Sequence, residues 1–244
     1  PVSSLTMDEL FSDWERLIKE GQKAQVCITP VNSILAARAT ARVQEIYKHA
    51  DYVLCDGVPV KLAAKFLGNP IKERITGLDV LPRIFPFAAS RNFTLFLLGA
   101  SPGVAEMLKE VMEEKYPGVK IVGTFVPPFR EVFSKEENQQ MIDAINAVKP
   151  DMLLVSLTAP KQDIWIAKNL EKLETHLAIG IGGAFEVAAG MIQRAPLWMQ
   201  KSGLEWLYRF LQEPKRMFRR YLVEAPVFIP LIIKQRFSTR SGRP

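Results

Sequence analysis

The stretch FTLFLLGASPGVAEMLKEVMEEK, Phe93 to Lys115, changes its period halfway along. Its first seven residues form an almost unbroken apolar run. From Pro102 to about Lys115, apolar residues recur at helical intervals between charges. A short continuous apolar run followed by an amphipathic helix is the pattern of a strand buried on both faces of a parallel sheet. The unit recurs downstream. VKIVGTF (119–125) precedes a helix near 135–147, DMLLVSL (151–157) precedes one over about 160–173, and HLAIGIGG (176–183) closes the series. Upstream, AQVCIT (24–29) stops at Pro30 and leads to a helix over about 33–49. The strand that follows ends at Asp56, before a helix near 58–67. At the start, Thr6-Met7-Asp8-Glu9 has capping-box spacing, with Leu10, Phe11, Trp14, Leu17 and Ile18 at helical intervals after it. These alternations predict an α/β fold: a Rossmann-like, mostly parallel sheet with helices on both faces, occupying residues 1–193. The polar link GNPIKERITG (68–77) separates the two groups of strands, and no element is assigned between it and Phe93.

The chain has 244 residues, 48% hydrophobic and 24% charged, which suits a globular core and excludes a disordered chain. Its two cysteines, Cys27 and Cys55, lie in apolar runs, as buried thiols of a reducing compartment do. No secretory signal and no apolar run of membrane-spanning length is visible, so the expectation is a soluble protein. The net charge of +6 is unevenly spread. From Arg194 onward there are eleven Lys/Arg against three Asp/Glu, a surplus of eight, which leaves residues 1–193 at −2. The basicity belongs to a C-terminal appendage, residues 194–244, whose aromatic and basic residues interleave in a helical pattern without strands. That composition suits an anionic membrane surface or a lipid-linked diphosphate. No RRM, KH or helix-turn-helix signature accompanies the charge, so nucleic acid is not the expected partner.

In a parallel sheet, ligands meet the loops that follow the strands. Here those loops hold Thr29 and Asn32, Asp56-Gly57, Gly99 to Gly103, Thr158 to Gln162, and Gly180 to Gly183. A carboxylate, two amides, a lysine and several loops able to present backbone N–H groups suit a polar, phosphate-bearing ligand. Neither Gly99-x-x-x-Gly103 nor Gly180-x-Gly182-Gly183 completes a dinucleotide fingerprint, which counts against a nucleotide-dependent oxidoreductase on the same sheet. Neither histidine has metal-ligand spacing and no G-x-S-x-G elbow is present.

The segments GASPGVAE, YPGVKIVGT, APKQD, GIGGAFEVAAG, RAP and GLEWLYRFLQEPKR occur in this order and spacing in the WecG/TagA/CpsF glycosyltransferases, and the chain resembles that family over nearly its whole length. The resemblance implies an inverting enzyme. It would move a sugar, N-acetylmannosamine or a uronic acid, from a UDP donor to an undecaprenyl-diphosphate-linked saccharide in cell-surface polysaccharide synthesis. It implies no metal or other cofactor. It places the enzyme in the cytoplasm, peripheral on the inner face of the bacterial plasma membrane, and is compatible with a homo-oligomer. Carried over by position, the catalytic acid is Asp56 and the arginine of the R-x-x-G element is Arg74. Thr29, Asn32 and Gln162 are substrate-binding, with the loop glycines Gly99, Gly182 and Gly183. Arg209, Arg216 and Arg219 of the appendage are expected to reach a diphosphate. Three positions depart from the family pattern: an extra residue stands between Thr29 and Asn32, Asp163 follows Gln162 where Glu is usual, and Glu186 replaces Asp after the G-G-x-F element.

Inversion at an anomeric carbon needs one base on the face opposite the leaving group. Asp56, an isolated acid at the tip of an apolar strand, is the residue for that role. The alternative for the same residue is a turn and helix cap.

Overall fold

The computed structural model describes residues 2–241, apart from the side chains of 216, 219–221 and 239–241. Six strands form one sheet: β1 (Ala24–Thr29), β2 (Tyr52–Cys55), β3 (Thr94–Gly99), β4 (Lys120–Phe125), β5 (Met152–Ser156) and β6 (Leu177–Gly180). Their order is β2-β1-β6-β5-β3-β4, and every adjacent pair is parallel. Around the sheet lie α1 (Met7–Lys19), α2 (Val31–Ala39), α3 (Ala41–His49), α4 (Val58–Phe66), α5 (Gly77–Arg91), α6 (Val104–Lys115), α7 (Lys135–Asn146), α8 (Lys161–Asn169) and α9 (Phe185–Ala188). The C-terminal region adds α10 (Leu197–Ser202), α11 (Glu205–Gln212), α12 (Pro214–Phe218), a π-helical turn over Arg219–Glu224, and α13 (Ala225–Ser241). The expected Rossmann-like α/β architecture with a helical C-terminal region is what forms.

Alternate side chains of each strand point to opposite faces, and both faces are covered. Leu95 and Leu97 of β3, with Met152 and Leu154 of β5, join the core formed with α1, α5 and α6. Phe96, Leu98, Leu153 and Val155 join the second core under α7 and α8. That double burial is why these strands read as continuous apolar runs. The capping box at Thr6 and Glu9 is present and starts α1.

Three local features differ from the sequence reading. The single helix over 33–49 is two, divided at Thr40, whose φ of −135° and ψ of 115° are extended. The break lets Val43 and Tyr47 of α3 pack with Cys27, while α2 packs against the C-terminal α13.

The unassigned stretch before β3 is a helix, α5, which contains Pro82 and Pro86. Proline inside a helix removes an N–H, so this pattern argues against helix. Both prolines lie on the exposed side, and Leu81, Ile84 and Phe85 are fully buried on the other. The carbonyl that Pro82 leaves without its helical donor, that of Leu78, accepts a hydrogen bond from Arg194 Nη1 at 2.9 Å. A residue more than a hundred positions away thus completes the helix. Finally, the helical pattern of the C-terminal region is broken into the short α10, α11 and α12 before the 17-residue α13.

Candidate active site

β2 delivers Asp56 to the C-terminal edge of the sheet, half-buried, with its N–H donating to the Thr29 carbonyl at 3.3 Å. Gly57, with φ of 97°, turns the chain into α4, a conformation costly for a residue with a Cβ. The N–H of Ile75 donates to the Cys55 carbonyl at 3.2 Å, which lays the segment carrying Arg74 beside the β2 tip. Burial pushes the Cys55 thiol up to about 11; the Asp56 carboxylate adds to the rise and Arg74 opposes it. Asp56, which follows Cys55, and Arg74, which precedes Ile75, are thus brought to the same strand tip by the Ile75–Cys55 hydrogen bond.

From β1, Thr29 is buried and its hydroxyl donates to the Cys27 carbonyl at 3.4 Å. Asn32 reaches the loop after β5, where Nδ2 donates to the Ala159 carbonyl at 3.5 Å. Its Oδ1 is buried with no hydrogen-bond partner among the described residues. The loop after β6 is held from both sides. The Gly182 N–H donates to Gln162 Oε1 at 3.0 Å, and the Gly182 carbonyl accepts from Ser156 Oγ at 2.7 Å. Gln162 is only 1% exposed, so its side chain braces this loop from within. Gly183 offers its carbonyl to Arg209 Nη2 at 3.4 Å. Glu186, just beyond, has a buried Oε2 without a hydrogen-bond partner among the described residues.

Gly99 is a packing glycine: a Cβ there would stand 2.4 Å from the Ser156 carbonyl oxygen, and its φ is +99°. The site residues from β1, β2, β5 and β6 thus form one linked cluster. Gly99 is joined to it through Ser156.

Beneath the cluster is a buried polar group at a position that the sequence marked only as a departure from the family pattern. Asp163 is fully buried; its Oδ2 accepts from the Tyr47 hydroxyl at 2.6 Å. Its Oδ1 has no hydrogen-bond partner among the described residues, and the Cys27 thiol lies near it. Burial pushes its carboxyl up to about 7, against the pull of Tyr47 and Cys27. A Cβ on Gly180 would lie 2.6 Å from Gln162 Nε2 and 2.7 Å from Asp163 Oδ1, so only glycine fits there.

A second group missed from sequence is an ionic network of Arg74, Asp79, Arg194 and Glu205. Arg194 Nε meets Glu205 Oε1 at 2.7 Å and Nη2 meets Asp79 Oδ1 at 2.5 Å. Arg74 approaches the other oxygens of the same carboxylates at 3.6 and 3.7 Å. Glu205 and Arg209 both belong to α11, so the C-terminal region closes over the strand tips. Gly203 fits against Val58, where a Cβ would lie 3.2 Å from Val58 Cγ2. The sequence signal for Arg194 was the RAP segment, but its partners are distant in sequence. Arg216 and Arg219 lie outside the described side chains.

A family model described as "Glycosyl transferase WecG/TagA/CpsF family" matches residues 1–242. An N-acetylglucosaminyldiphosphoundecaprenol N-acetyl-beta-D-mannosaminyltransferase of Bacillus spizizenii is 30% identical over 198 residues, 81% of this chain and 74% of the relative. A protein of the same name from Staphylococcus aureus strain MW2 is 30% identical over 199 residues, 82% of this chain and 75% of the relative.

Proposed function

The chain belongs to the WecG/TagA/CpsF glycosyl transferase family, and from that premise we propose that it moves an N-acetylmannosaminyl unit from a UDP donor to a lipid-linked N-acetylglucosaminyl diphosphate, with inversion. The carrying observation is Asp56 held at the β2 tip beside Thr29, with the segment that carries Arg74 bonded to the same tip through Ile75 and Cys55. Asp56 takes the proton from the acceptor hydroxyl as its oxygen attacks the anomeric carbon. The bond to the UDP oxygen breaks, and the electron pair leaves on the β-phosphate. Arg74 meets that developing charge, because its planar fork matches phosphate oxygens. The Gly182 N–H is engaged by Gln162, so the loop contributes shape and the N–H groups that follow. Asn32 Oδ1 and Glu186 Oε2, buried acceptors without protein partners among the described residues, suit hydroxyl or amide donors of a sugar.

Residues 1–193 carry this chemistry, and 194–244 add Arg209 and an attachment to the membrane. Leu197, Trp198 and Leu211 are 70%, 63% and 69% exposed, beside the basic residues of the same region. Among the described residues no helix is long and apolar enough to cross a membrane. Peripheral docking of these side chains at the inner face of the plasma membrane brings a lipid-linked acceptor to Asp56. The deciding assay offers a panel of UDP-sugars, including N-acetylmannosamine and uronic acid donors, with a short-chain lipid acceptor ending in diphospho-N-acetylglucosamine. Product from UDP-N-acetylmannosamine alone is the expected result. Absence of product with every donor overturns the proposal.

A further inference from the structure

Arg74 and Arg194 share Asp79 and Glu205, but unequally. Arg194 makes close contacts of 2.5 and 2.7 Å with the two carboxylates and donates to the Leu78 carbonyl at 2.9 Å. Arg74 stands 3.6 and 3.7 Å from the remaining oxygens, beyond hydrogen-bonding distance. All four side chains are three-quarters or more buried. Two guanidinium groups balance two carboxylates. Removing Arg194 would leave Arg74 as the one cation of the network facing both carboxylates, with the Thr76 hydroxyl still donating to Asp79 Oδ2 at 2.8 Å, and in such a setting the stronger attraction draws Arg74 into direct contact.

We propose that Arg194 is a positioning residue for sugar transfer: by neutralising Asp79 and Glu205 it keeps Arg74 loosely paired and able to turn onto the diphosphate of the donor. This rests on the reading above that Arg74 meets that diphosphate. Because Arg194 also supplies the hydrogen bond that Pro82 denies to Leu78, α5 and α11 hold it in place, while Arg74 retains room to move. The C-terminal region therefore acts on the chemistry through Glu205 as well as through Arg209.

The test uses the full chain as wild type and as R74A, R194Q, E205Q and R194Q/E205Q. Each is measured for kcat and KM of the UDP-sugar, for UDP affinity by calorimetry, and for thermal melting. R194Q is expected to lose about tenfold or more in kcat and to bind UDP more weakly, since one transition-state contact is worth that much or more. R194Q/E205Q is expected to recover part of that loss, because Asp79 is then the one carboxylate of the pair still competing for Arg74. A purely structural anchor gives the opposite result: losing Glu205 as well removes the other half of the same ion pair, and the double variant falls further. If R194Q does not fold, E205Q decides the matter. Weaker competition for Arg74 should tighten UDP binding about threefold, within the range of a lost partly exposed ion pair. Unchanged or weaker UDP binding by E205Q overturns the proposal. R74A separates the two levels. Wild-type turnover by R74A removes the diphosphate contact and this proposal with it. An impaired R74A with no recovery in R194Q/E205Q removes only the role of Arg194.

Discussion

Asp163→Asn tests the buried brace under the active-site loop, and its effect should depend on pH. An aspartate in the unfolded chain titrates near 3.8, whereas Asp163 in the fold titrates at about 7 because burial disfavours its charge. Between those values the folded state holds a proton that the unfolded state has released. Stability from this group is therefore lost as pH rises from about 4 to about 7, and the loss is complete above the folded value. At about 1.4 kcal/mol per pH unit the whole window is worth about 4 kcal/mol, of which more than half falls between pH 5 and pH 8. Asn has the same shape, still accepts from the Tyr47 hydroxyl, and does not titrate. The measurement is urea unfolding of wild type and variant at pH 5 and pH 8, followed by tryptophan fluorescence. The difference, variant minus wild type, cancels the other titrating groups and should shift toward the variant by about 2–3 kcal/mol at the higher pH. If the two proteins keep the same stability difference at both pH values, Asp163 is ionised throughout or already neutral, and the account of this cluster is wrong.

Asp56→Asn should preserve the fold and UDP affinity while lowering turnover about a hundredfold or more, the low end for a lost general base; near-normal transfer would remove Asp56 from the mechanism. Gly99→Ala combines a backbone with φ of +99° and a Cβ 2.4 Å from the Ser156 carbonyl oxygen, so it should cost about 2–4 kcal/mol in unfolding experiments. A cost below about 1 kcal/mol would show that β3 and β5 can move apart there. Trp198→Ala with Leu211→Ala should weaken co-sedimentation with anionic vesicles. Raising salt should weaken it further, because attraction of the basic residues falls off within a Debye length. Undiminished vesicle binding by that variant would place membrane contact elsewhere.

The parallel sheet was legible in the sequence because strands such as FTLFLLG and DMLLVSL are buried on both faces, and double burial writes itself as a continuous apolar run. Asp56 was legible for a related reason: a lone acid at the tip of such a run stands out against its neighbours. α5 was not legible, because helix propensity is local while its compensation is not. Pro82 argues against helix, and the donor that answers it, Arg194, arrives from the far end of the chain. The same holds for the network of Arg74, Asp79, Arg194 and Glu205, whose members are ordinary surface charges until Arg194 joins α11 to α5. Gln162 shows the converse. Its place in a motif marked it as important, but only packing reveals that its side chain is buried against Gly180 and Gly182. Periodicity along the chain thus determined the sheet and pointed to its C-terminal edge, where open parallel sheets bind ligands. Which charges meet there, and which polar groups face inward, depended on contacts between residues far apart in sequence, and those exist only in the folded state.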